Sequence, residues 1–581
     1  MRSAFGRIVT TAFLIAQAID NVTSASWKQT DWFPCGLTAP LAGMPSVPGM
    51  NVFQCTQFDA PLCHDGVCTS EQTIKLFVKR ALATQTDPTE APNVWMLQGG
   101  PGGSSSELES SMLFLQTNLN GSVNMYTLDH RGTGRSTFLE CEAAQAMTAG
   151  SPGGTELVPA EFGACFKELL SRFDNKPEAF SVTSAAKDVE YLTTTLATSA
   201  ETYVYGASYG TYWTSRIMHL APRVIKGYIL DGVVAEESDM FATLNRDNLI
   251  PAKALAQACE DDSFCRSKFM GDSNDSVSMF DKFASIVDNL DNAESACADW
   301  LRKAATVNAT NTPTPSALIR DRMMDMATTG KQFFIPAFLY RLNRCKDTDM
   351  TFLKAVSGFA NAKNDTSSKT STAVSVDKVA VISPVLQMDI DVSEMWTSPS
   401  PTVAQLNADA SQSFMWMEST EFVELYCLYT GNHDEPACQD KELDNVKRFY
   451  SSTPKFSYKP DQYHKRAATI PDGAGVLVIN GGLDFQTPAT NGKQQFENLK
   501  GTNKAMVEFK YGGHCAGIIS GSCGFEIIAS FVRSKGDASQ VDSSCLAKEE
   551  PLKFDNSTAM SFSEKFGKII TGDPFDGAVE E

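Results

Sequence analysis

The stretch Gly206-Ala207-Ser208-Tyr209-Gly210 decides the fold of this chain. It follows the predicted strand Thr202–Tyr205 and opens the predicted helix Tyr209–Leu220. A serine in a tight strand-to-helix turn has strained backbone angles, and side chains at the flanking glycine positions would clash there. The helix N-terminus supplies a positive dipole and free N–H groups beside the serine oxygen. The position of this pattern between strand and helix predicts that Ser208 is a nucleophile; the alternative is a serine in an ordinary turn.

Short apolar runs alternate with helical patterns on both sides of this stretch. The alternation predicts an α/β fold, with a mostly parallel sheet and helices on both of its faces. The helix before the stretch has Ser184 as its predicted N-cap. The predicted helices are Ser184–Leu196, Tyr209–Leu220, one that ends with Gln494–Leu499, and Gly524–Val532. The predicted strands are Ile74–Val78, Val94–Leu97, Val123–Leu128, Thr202–Tyr205, Tyr228–Leu230, Val476–Ile479 and Met506–Phe509.

A long helical segment separates the early strands from the late ones. The late strands would have no sheet to join if they formed an independent domain, so we expect one α/β core interrupted by a helical cap. We predict a signal peptide at 1–25 and a core that begins at 26–235. The predicted cap is 236–468, and 469–581 is the second part of the core with a C-terminal tail.

A histidine that can serve as the base is found by elimination. With a serine nucleophile in this kind of turn, the order along the chain is serine, acid, histidine, and the histidine follows the last strand. His514, in Tyr511-Gly512-Gly513-His514, directly follows the strand Met506–Phe509. The other five histidines lie before Ser208, in the helix after it, or in or beside the helical cap: His64, His130, His219, His433 and His464.

The carboxylate that orients this histidine has two candidates. Asp484 follows the strand Val476–Ile479 and a glycine turn, 30 residues before His514. Asp231 ends the strand Tyr228–Leu230 and competes with it, although we favour Asp484. Either carboxylate would hold the imidazole tautomer and stabilise the imidazolium ion as the serine proton moves.

An oxyanion hole needs two backbone N–H donors. We expect one from Tyr209, just after the nucleophile, and the other from Gly99 or Gly100 in the loop Gly99-Gly100-Pro101-Gly102-Gly103. A phosphate-binding loop of the Walker A type would end in Gly-Lys-Ser/Thr, and this loop does not. No Cys-x-x-Cys pair with partner histidines is present, so we expect no structural zinc site. We also expect no cofactor.

The charge and the N-terminal residues predict the compartment and exclude one class of partner. The chain carries 69 Asp and Glu residues against 49 Lys and Arg residues, a net charge of -20 that repels phosphate backbones and argues against nucleic acid. Arg2 and Arg7 precede the apolar run Ile8–Ala18, which is a secretory signal peptide with cleavage after Ala18 or after Ala25. The polar, acidic end of the chain predicts no membrane anchor.

Cysteines and glycosylation motifs agree with a secreted or endomembrane-lumen protein. Fifteen cysteines suit an oxidising compartment, and their odd number leaves at least one unpaired or bonded to another chain. Several Asn-x-Ser/Thr motifs predict exposed glycosylated loops in a eukaryotic secretory pathway. These motifs begin at Asn21, Asn120, Asn274, Asn308, Asn364 and Asn556.

Five ordered motifs carry a resemblance to the prolyl iminopeptidase/tripeptidyl aminopeptidase group of α/β-hydrolases. The first three are Gln98-Gly99-Gly100-Pro101-Gly102, Asp129-His130-Arg131-Gly132-Thr133-Gly134-Arg135-Ser136 and Gly206-Ala207-Ser208-Tyr209-Gly210-Thr211. The acid and histidine segments, Gly482-Leu483-Asp484-Phe485-Gln486-Thr487-Pro488 and Gly513-His514-Cys515, resemble the secreted tripeptidyl-aminopeptidase-like branch. Related enzymes often begin the glycine loop with His where this chain has Gln98.

The resemblance implies a serine peptidase that releases residues from the N-termini of peptides. Arg131 and Ser136 are then expected to brace loops near the site, and acidic side chains on or near the cap to bind the substrate amine. The available acids are Glu236, Glu237, Glu418, Glu421 and Glu424. The comparison also implies the disulfides 35–55, 63–68, 141–165, 259–265, 427–438 and 523–545, with 297–345 by exclusion, which leaves Cys515 unpaired.

Two other functions stay open beside a secreted exopeptidase acting on peptides. An ester or lipid hydrolase of the same fold would use the same three residues, because the cap selects the leaving group. A binding protein without activity is the remaining alternative. Epoxide hydrolase or dehalogenase chemistry is disfavoured, since the turn holds Ser208 rather than aspartate. The motifs set no oligomeric state.

Overall fold

The structure, a computed structural model, describes residues 26–38, 53–148, 150–154, 157–198, 200–270, 277–305, 313–357 and 382–579. The predicted signal peptide lies outside the described residues. The predicted glycosylation sites Asn21, Asn274, Asn308 and Asn364 lie outside them as well.

One ten-stranded sheet forms the core. Its strands lie in the order β1-β3-β4-β6-β5-β7-β8-β9-β10, and β2 also pairs with β3. The strands of the sheet are β1 Lys28–Gln29, β2 Phe33–Cys35, β3 Phe53–Pro61, β4 Thr73–Ala81, β5 Asn93–Leu97, β6 Asn124–Leu128, β7 Thr202–Ala207, β8 Ile225–Asp231, β9 Gly475–Gly481 and β10 Lys504–Phe509. A separate two-stranded sheet near the C-terminus pairs β11 Ile570–Thr571 with β12 Ala578–Val579.

The strands from β6 to β10 in this order are parallel, and the edge formed by β1 to β4 is antiparallel. Every residue of β5, β6, β7, β8 and β9 is buried except Lys226, as expected for a sheet covered on both faces. The late strand β9 pairs with β8, so the strands after the helical segment join the same sheet as those before it. The α/β fold class predicted from the sequence is confirmed.

Three strands of the antiparallel edge, β1, β2 and β3, were not predicted from the strand pattern, whereas β4 contains the predicted strand Ile74–Val78. Strand β3 alternates buried and half-buried positions, and β1 and β2 are largely exposed. Strands with one solvated face lack the continuous apolar run that marks a buried parallel strand.

Helices cover both faces of the sheet. The first of two long core helices begins earlier than predicted: its N-cap is Ser181, whose hydroxyl accepts the Ser184 N–H, so the prediction of Ser184 as N-cap is wrong. Two serines three residues apart both satisfy the capping preference, and only the backbone angles distinguish them. The helices outside the cap are α1 Glu109–Asn118, α2 Phe162–Arg172, α3 Val182–Thr195, α4 Tyr209–Leu220, α17 Ala489–Asn498, α18 Ala516–Ile519, α19 Ser522–Arg533 and α20 Ala559–Phe566.

The cap is helical and has two parts. The outer cap, α6 to α12, packs around its own apolar cluster, whereas the inner cap, α13 to α15, packs into the cluster that covers one face of the core. The cap helices are α5 Met240–Asp247, α6 Leu249–Asp261, α7 Ser263–Met270, α8 Met279–Asn289, α9 Ala296–Ala305, α10 Pro315–Thr328, α11 Ile335–Arg344, α12 Asp347–Ser357, α13 Pro384–Glu394, α14 Val403–Ala410, α15 Thr420–Thr430 and α16 Asp444–Lys447.

The C-terminal tail belongs to the outer cap rather than to the core. Phe554, Phe562 and Phe575 are buried in the outer-cap cluster. The fully buried guanidinium of Arg341 donates from Nε to the Pro574 carbonyl at 2.8 Å. The chain therefore returns from the second part of the core and completes the packing of the cap.

All seven predicted disulfides are present, and Cys515 is the free, buried cysteine among the described residues. Along the described part of the chain, every helix is too short or too polar to cross a membrane.

Candidate active site

The Ser208 turn has the strained geometry that its sequence predicts. Ser208 has φ 55° and ψ -127° between β7 and α4, a conformation that a non-glycine residue rarely adopts. A side chain at Gly206 would overlap with the Gly210 carbonyl, and one at Gly210 would overlap with the Leu97 carbonyl on β5. Both glycines are therefore required by the close approach of α4 to the sheet.

Backbone hydrogen bonds hold the turn against the next strand. The Ser208 N–H donates to the carbonyl of Asp231 at 2.9 Å, and the hydroxyl of Thr211 donates to the Ser208 carbonyl at 2.6 Å. The N–H of Val234 donates in turn to the Thr211 hydroxyl at 2.9 Å. Ser208 thus lies at the carboxyl edge of the sheet, where β7 and β8 end.

His514 and Asp484 form a hydrogen-bonded pair at the same edge. The distance from His514 Nδ1 to Asp484 Oδ2 is 2.9 Å, so Nδ1 carries the proton and Nε2 is left for a second partner. Asp484 is fully buried, and its carboxylate also accepts the N–H groups of Gln486 at 2.9 Å and Thr487 at 2.8 Å. The Thr487 hydroxyl donates to the same carboxylate at 2.7 Å. The imidazole orientation is therefore set before any substrate binds.

The environment of His514 favours its charged form. Burial lowers its pKa, but the negative charge of Asp484 and the neighbouring Cys515 together outweigh burial and raise the pKa well above its ordinary value. The same carboxylate that orients the ring therefore stabilises the imidazolium ion.

Asp231, the competing acid, has different partners. Its carboxylate accepts the Tyr205 hydroxyl at 2.7 Å and the Gly517 N–H at 3.1 Å. Burial raises its pKa to about 7, against the opposing hydrogen bond from Tyr205. Of the two candidates, the structure places Asp484 and not Asp231 in hydrogen-bond contact with the imidazole of His514.

Ser208 and His514 both lie beside the end of β8, since the Ser208 N–H donates to the Asp231 carbonyl and His514 lies beside Gly232. A side chain added at Gly232, which follows Asp231, would come within 3.2 Å of His514 Cε1. Both Ser208 and His514 are partly exposed to solvent. Within the described residues no hydrogen bond joins the two side chains, and such bonds often form only when substrate is bound.

The glycine loop lies against the serine. A side chain at Gly99 would come within 3.2 Å of Ser208 Oγ, so only a residue without Cβ fits there. Gly100 has φ +118° and shapes the turn, which the Gly103 N–H closes by donating to the Gly99 carbonyl at 3.2 Å. Tyr209 is the first residue of α4, so its N–H has no acceptor within the helix. Gly99 thus lies against the serine, Gly100 follows it in the loop, and Tyr209 follows the serine in the chain, while the oxyanion-hole roles of all three stay a prediction.

Both parts of the cap contact these loops. The Ser383 N–H, just before α13, donates to the Gly102 carbonyl at 3.0 Å. On the opposite side, a side chain at Gly513 would come within 3.1 Å of Gln332 Nε2 from the outer cap. The candidate site therefore lies where the inner cap, the outer cap and the sheet edge meet.

The resemblance-based expectations for the Asp129–Ser136 motif agree with the structure. The fully buried Arg131 donates to the carbonyls of Leu62 at 2.8 Å and Ala179 at 2.6 Å, and pairs with Asp188. The Ser136 hydroxyl donates to the Asp129 carbonyl at 2.7 Å. Both residues brace loops and neither contacts Ser208.

Two of the acids available from the sequence, Glu236 and Glu237, bind other residues of the protein. Glu236 is buried and bound to His219 at 2.8 Å and to the Ala468 N–H at 2.9 Å, and Glu237 accepts the Asn498 side chain at 2.6 Å. Glu424 is half-buried, and burial together with the charges of Glu421 and Glu418 raises its pKa to about 7.

Two acids of the inner cap were missed by the sequence analysis. Asp389 and Asp391 on α13 are fully buried, and none of their four carboxyl oxygens has a hydrogen-bond partner among the described residues. Burial raises the pKa of each well above its ordinary value. The Gln387 amide is close enough to Asp391 to oppose this shift, but it does not reach hydrogen-bond geometry. No motif marks these residues, so only their burial could have identified them.

The order of the strands and the place of the three residues decide the fold family. Ser208 follows β7 in a strained turn, Asp484 follows β9, and His514 follows β10, the last strand of the core sheet. This is the chain order of the triad in the fold that carries the nucleophile elbow. The fold is that of the α/β-hydrolases.

Solved structures with this fold resemble the chain over most of its length, at low sequence identity. A thermophilic esterase from Thermogutta terrifontis is 10% identical, with a TM-score of 0.29, over 81% of this chain and 97% of that chain. The proline iminopeptidase of Mycobacterium smegmatis is 11% identical, with a TM-score of 0.28, over 80% of this chain and 97% of that chain. A serine hydrolase from Cycloclasticus zankles is 12% identical, with a TM-score of 0.26, over 84% of this chain and 99% of that chain.

Comparisons by sequence find no relative: no protein-family model matches, and neither does any curated protein. The fold assignment therefore rests on the sheet, the strained turn and the placement of the three residues. Among the described residues, no group of three or more metal-ligating side chains is close enough to hold a metal ion.

Proposed function

We propose that this chain is a secreted serine exopeptidase that hydrolyses peptide bonds near the N-terminus of peptides. The observation that carries the proposal is the hydrogen bond of 2.9 Å between His514 and Asp484 at the sheet edge where the strained Ser208 lies. This arrangement combines a nucleophile, a base and an orienting acid in the order expected for the fold.

In the proposed mechanism, His514 Nε2 takes the proton of Ser208 Oγ as the oxygen attacks the peptide carbonyl carbon. The N–H of Tyr209 and that of Gly99 or Gly100 stabilise the negative charge on the carbonyl oxygen. The imidazolium ion then gives its proton to the departing amine, which leaves an acyl group on Ser208. Water, activated by the same imidazole, attacks this ester and releases the peptide fragment and the free serine. Asp484 keeps Nδ1 protonated throughout.

The unpaired carboxyls of the inner cap support the N-terminal part of the proposal. Asp389 and Asp391 are buried without partners, and a buried polar group without a partner costs free energy unless a ligand satisfies it. A substrate ammonium group supplies both charge and N–H donors. Burial raises the pKa of Tyr209, the residue after the nucleophile, and Glu394 and, to a smaller extent, Asp391 of the same helix α13 act in the same direction. We assign these two carboxyls as anchors for the substrate amine, in place of the five glutamates considered from the sequence.

The deciding experiment compares one peptide series with free and with acetylated N-termini. We expect cleavage of the free peptides, and a loss of kcat/KM of at least about 100-fold on acetylation, which corresponds to a charged hydrogen-bonded contact of about 3 kcal/mol. A simple aryl ester without an amine serves as the comparison substrate. Equal cleavage of acetylated and free peptides would refute the exopeptidase proposal. Efficient hydrolysis of the ester alone would favour the ester-hydrolase alternative.

Secretion is supported by the N-terminal sequence and by seven disulfides. Asn120, one of the predicted glycosylation sites, is exposed in a turn with φ 53° after α1. Expression in a eukaryotic host, followed by intact-mass measurement with and without endoglycosidase, tests both properties. We expect the protein in the medium with glycan on Asn120; an intracellular, unglycosylated product would contradict the proposal.

A further inference from the structure

A buried carboxylate holds the loop that follows the glycine loop. Asp129 lies at the end of β6, beside β5, and is fully buried. Its Oδ1 accepts the Ser105 N–H at 2.8 Å and the Ser105 hydroxyl at 2.7 Å, with the Ser104 hydroxyl at 3.2 Å. Ser104 directly follows Gly103, the last residue of the glycine loop. One side chain therefore fixes the point where this loop ends.

The glycine loop is thereby held at both ends. At its start, β5 pairs with β7 as far as Leu97 and Gly206, which places the loop beside the Ser208 turn. At its end, Ser104 begins a short 3-10 helix, Ser105–Leu108, and its hydroxyl caps that helix by accepting the Ser106 N–H. The position of Gly99 and Gly100 relative to Ser208 follows from these two attachments.

The second oxygen of Asp129 holds a neighbouring loop. Its Oδ2 accepts the N–H of Arg135 at 2.7 Å and the Arg135 Nε at 2.7 Å. Arg135 also donates to Glu109 at 2.9 Å, and Glu109 pairs with the buried Lys79 at 2.7 Å. A side chain at Gly134 would come within 2.5 Å of Asp129 Oδ2, so the glycine leaves room for the carboxylate.

This network keeps Asp129 ionised. Burial raises its pKa, but the charge of Arg135 and the hydrogen bonds from Arg135 and Ser105 outweigh burial and hold the pKa below its ordinary value. An ionised carboxylate accepts every one of these donors, whereas an amide would turn an NH₂ group toward one set of them. The arrangement requires a carboxylate and not only a side chain of that size.

We propose that Asp129 is a positioning residue for the oxyanion hole: its carboxylate holds the glycine loop so that a backbone N–H faces the oxygen of the reacting carbonyl. The inference rests on the proposed function of Ser208. Asp129 does not contact the reacting atoms and acts through the loop from Gly99 to Ser105.

The test is Asp129→Asn, with Asp188→Asn as the matched control. Asp188 is also a buried carboxylate and accepts an arginine, Arg131, at 2.7 Å and 2.6 Å, but it does not touch the glycine loop. We expect Asp129→Asn to lower kcat and the rate of fluorophosphonate labelling by about 100-fold, the lower range for loss of one oxyanion donor. KM should change less than about threefold, since the substrate amine is bound elsewhere.

Two further readouts separate positioning from a general structural role. The pH dependence of residual activity in Asp129→Asn should keep its inflection, because the pair of His514 and Asp484 is untouched. Asp188→Asn should lower the melting temperature at least as much as Asp129→Asn and keep kcat within about threefold of wild type. Equal losses of kcat in the two variants, or wild-type kcat in folded Asp129→Asn, would overturn the proposal.

A milder variant keeps the test decisive if Asp129→Asn does not fold. Ser105→Ala removes one donor to Asp129 and leaves the backbone N–H in place, so we expect a smaller loss of kcat, of about three- to tenfold. Wild-type kcat in Ser105→Ala would contradict the inference. Full activity in Ser208→Ala would instead refute the proposed function, which distinguishes the two failures.

Discussion

Asp484 and the pair Asp389 and Asp391 are all fully buried carboxyls, yet their surroundings are opposite. Asp484 has both oxygens satisfied, by His514 and by the Gln486 and Thr487 donors. The two aspartates of α13 have no hydrogen-bond partner among the described residues. The comparison indicates that the sheet edge is organised before substrate arrives, whereas the carboxyls of the inner cap are left unpaired, and we propose that the substrate amine pairs with them.

The largest expected effect is that of removing the Ser208 hydroxyl at the organised sheet edge. Ser208→Ala should lower kcat by roughly 10⁶-fold, because no other group can form the acyl intermediate. The measurement is peptide turnover together with labelling by a fluorophosphonate probe. Ser215→Ala, at another buried serine of α4, is the control and should be labelled normally. Persistent labelling of Ser208→Ala would place the nucleophile elsewhere.

A second prediction tests the pairing of acid and histidine. Asp484→Asn should lower kcat by about 10⁴-fold, since the amide favours the wrong imidazole tautomer. Asp231→Asn should cost less than about tenfold, because its partners are Tyr205 and Gly517. A larger loss of kcat in Asp231→Asn than in Asp484→Asn would indicate that Asp231 is the orienting acid.

The pH dependence of activity also tests the pairing of His514 with Asp484. The base acts as neutral imidazole, so activity rises as the pH rises through the pKa of His514, which Asp484 raises. Removing the negative charge in Asp484→Asn lowers that pKa, and the rise of the residual activity should move to lower pH. An unmoved profile would show that another group controls it.

Substitutions at the unpaired carboxyls of the inner cap should affect substrate binding more than the chemical step. Asp389→Asn and Asp391→Asn should raise KM for peptides with a free N-terminus by about 10- to 100-fold, the range of a hydrogen bond to a charged group, with a smaller change in kcat. Asp444→Asn, an exposed aspartate of the cap, is the control. An unchanged KM in both α13 variants would show that these carboxyls do not bind the substrate amine.

The smallest expected effect concerns stability. Folding raises the pKa of Asp389 above its unfolded value, so the folded state binds the proton more tightly. Its contribution to stability is complete below the unfolded pKa and is lost as the pH rises toward the folded pKa. Asp389→Asn cannot ionise at this position. Between acidic and alkaline pH, its free energy of unfolding should therefore rise by about 1 to 3 kcal/mol relative to that of wild type. Denaturant unfolding at several pH values measures this difference. A difference in the free energy of unfolding that stays the same at every pH would contradict the prediction.

The sheet edge and the inner cap also differ in how far the sequence predicts them. Ser208 and His514 follow strands with strong local signals, and Gly206 is needed because a side chain there would overlap with Gly210, four residues away. The burial of Asp389 and Asp391 depends on how α13 packs against α15 and the core, which no local pattern encodes. The same reason explains the unpredicted edge strands β1 to β3, whose pairing joins residues up to 31 positions apart. Where two neighbouring residues satisfy the same local rule, as Ser181 and Ser184 do, the pattern alone does not choose.

The C-terminal tail has a consequence for the order of synthesis. The apolar core of the outer cap takes Phe562 and Phe575 from the tail, and the buried Arg341 needs the carbonyls of Pro574 and Gly577. The ribosome makes the outer-cap helices more than 200 residues before it makes these partners. Domains generally fold as units during translation. The apolar core of the outer cap therefore stays incomplete during synthesis until the C-terminal tail has emerged.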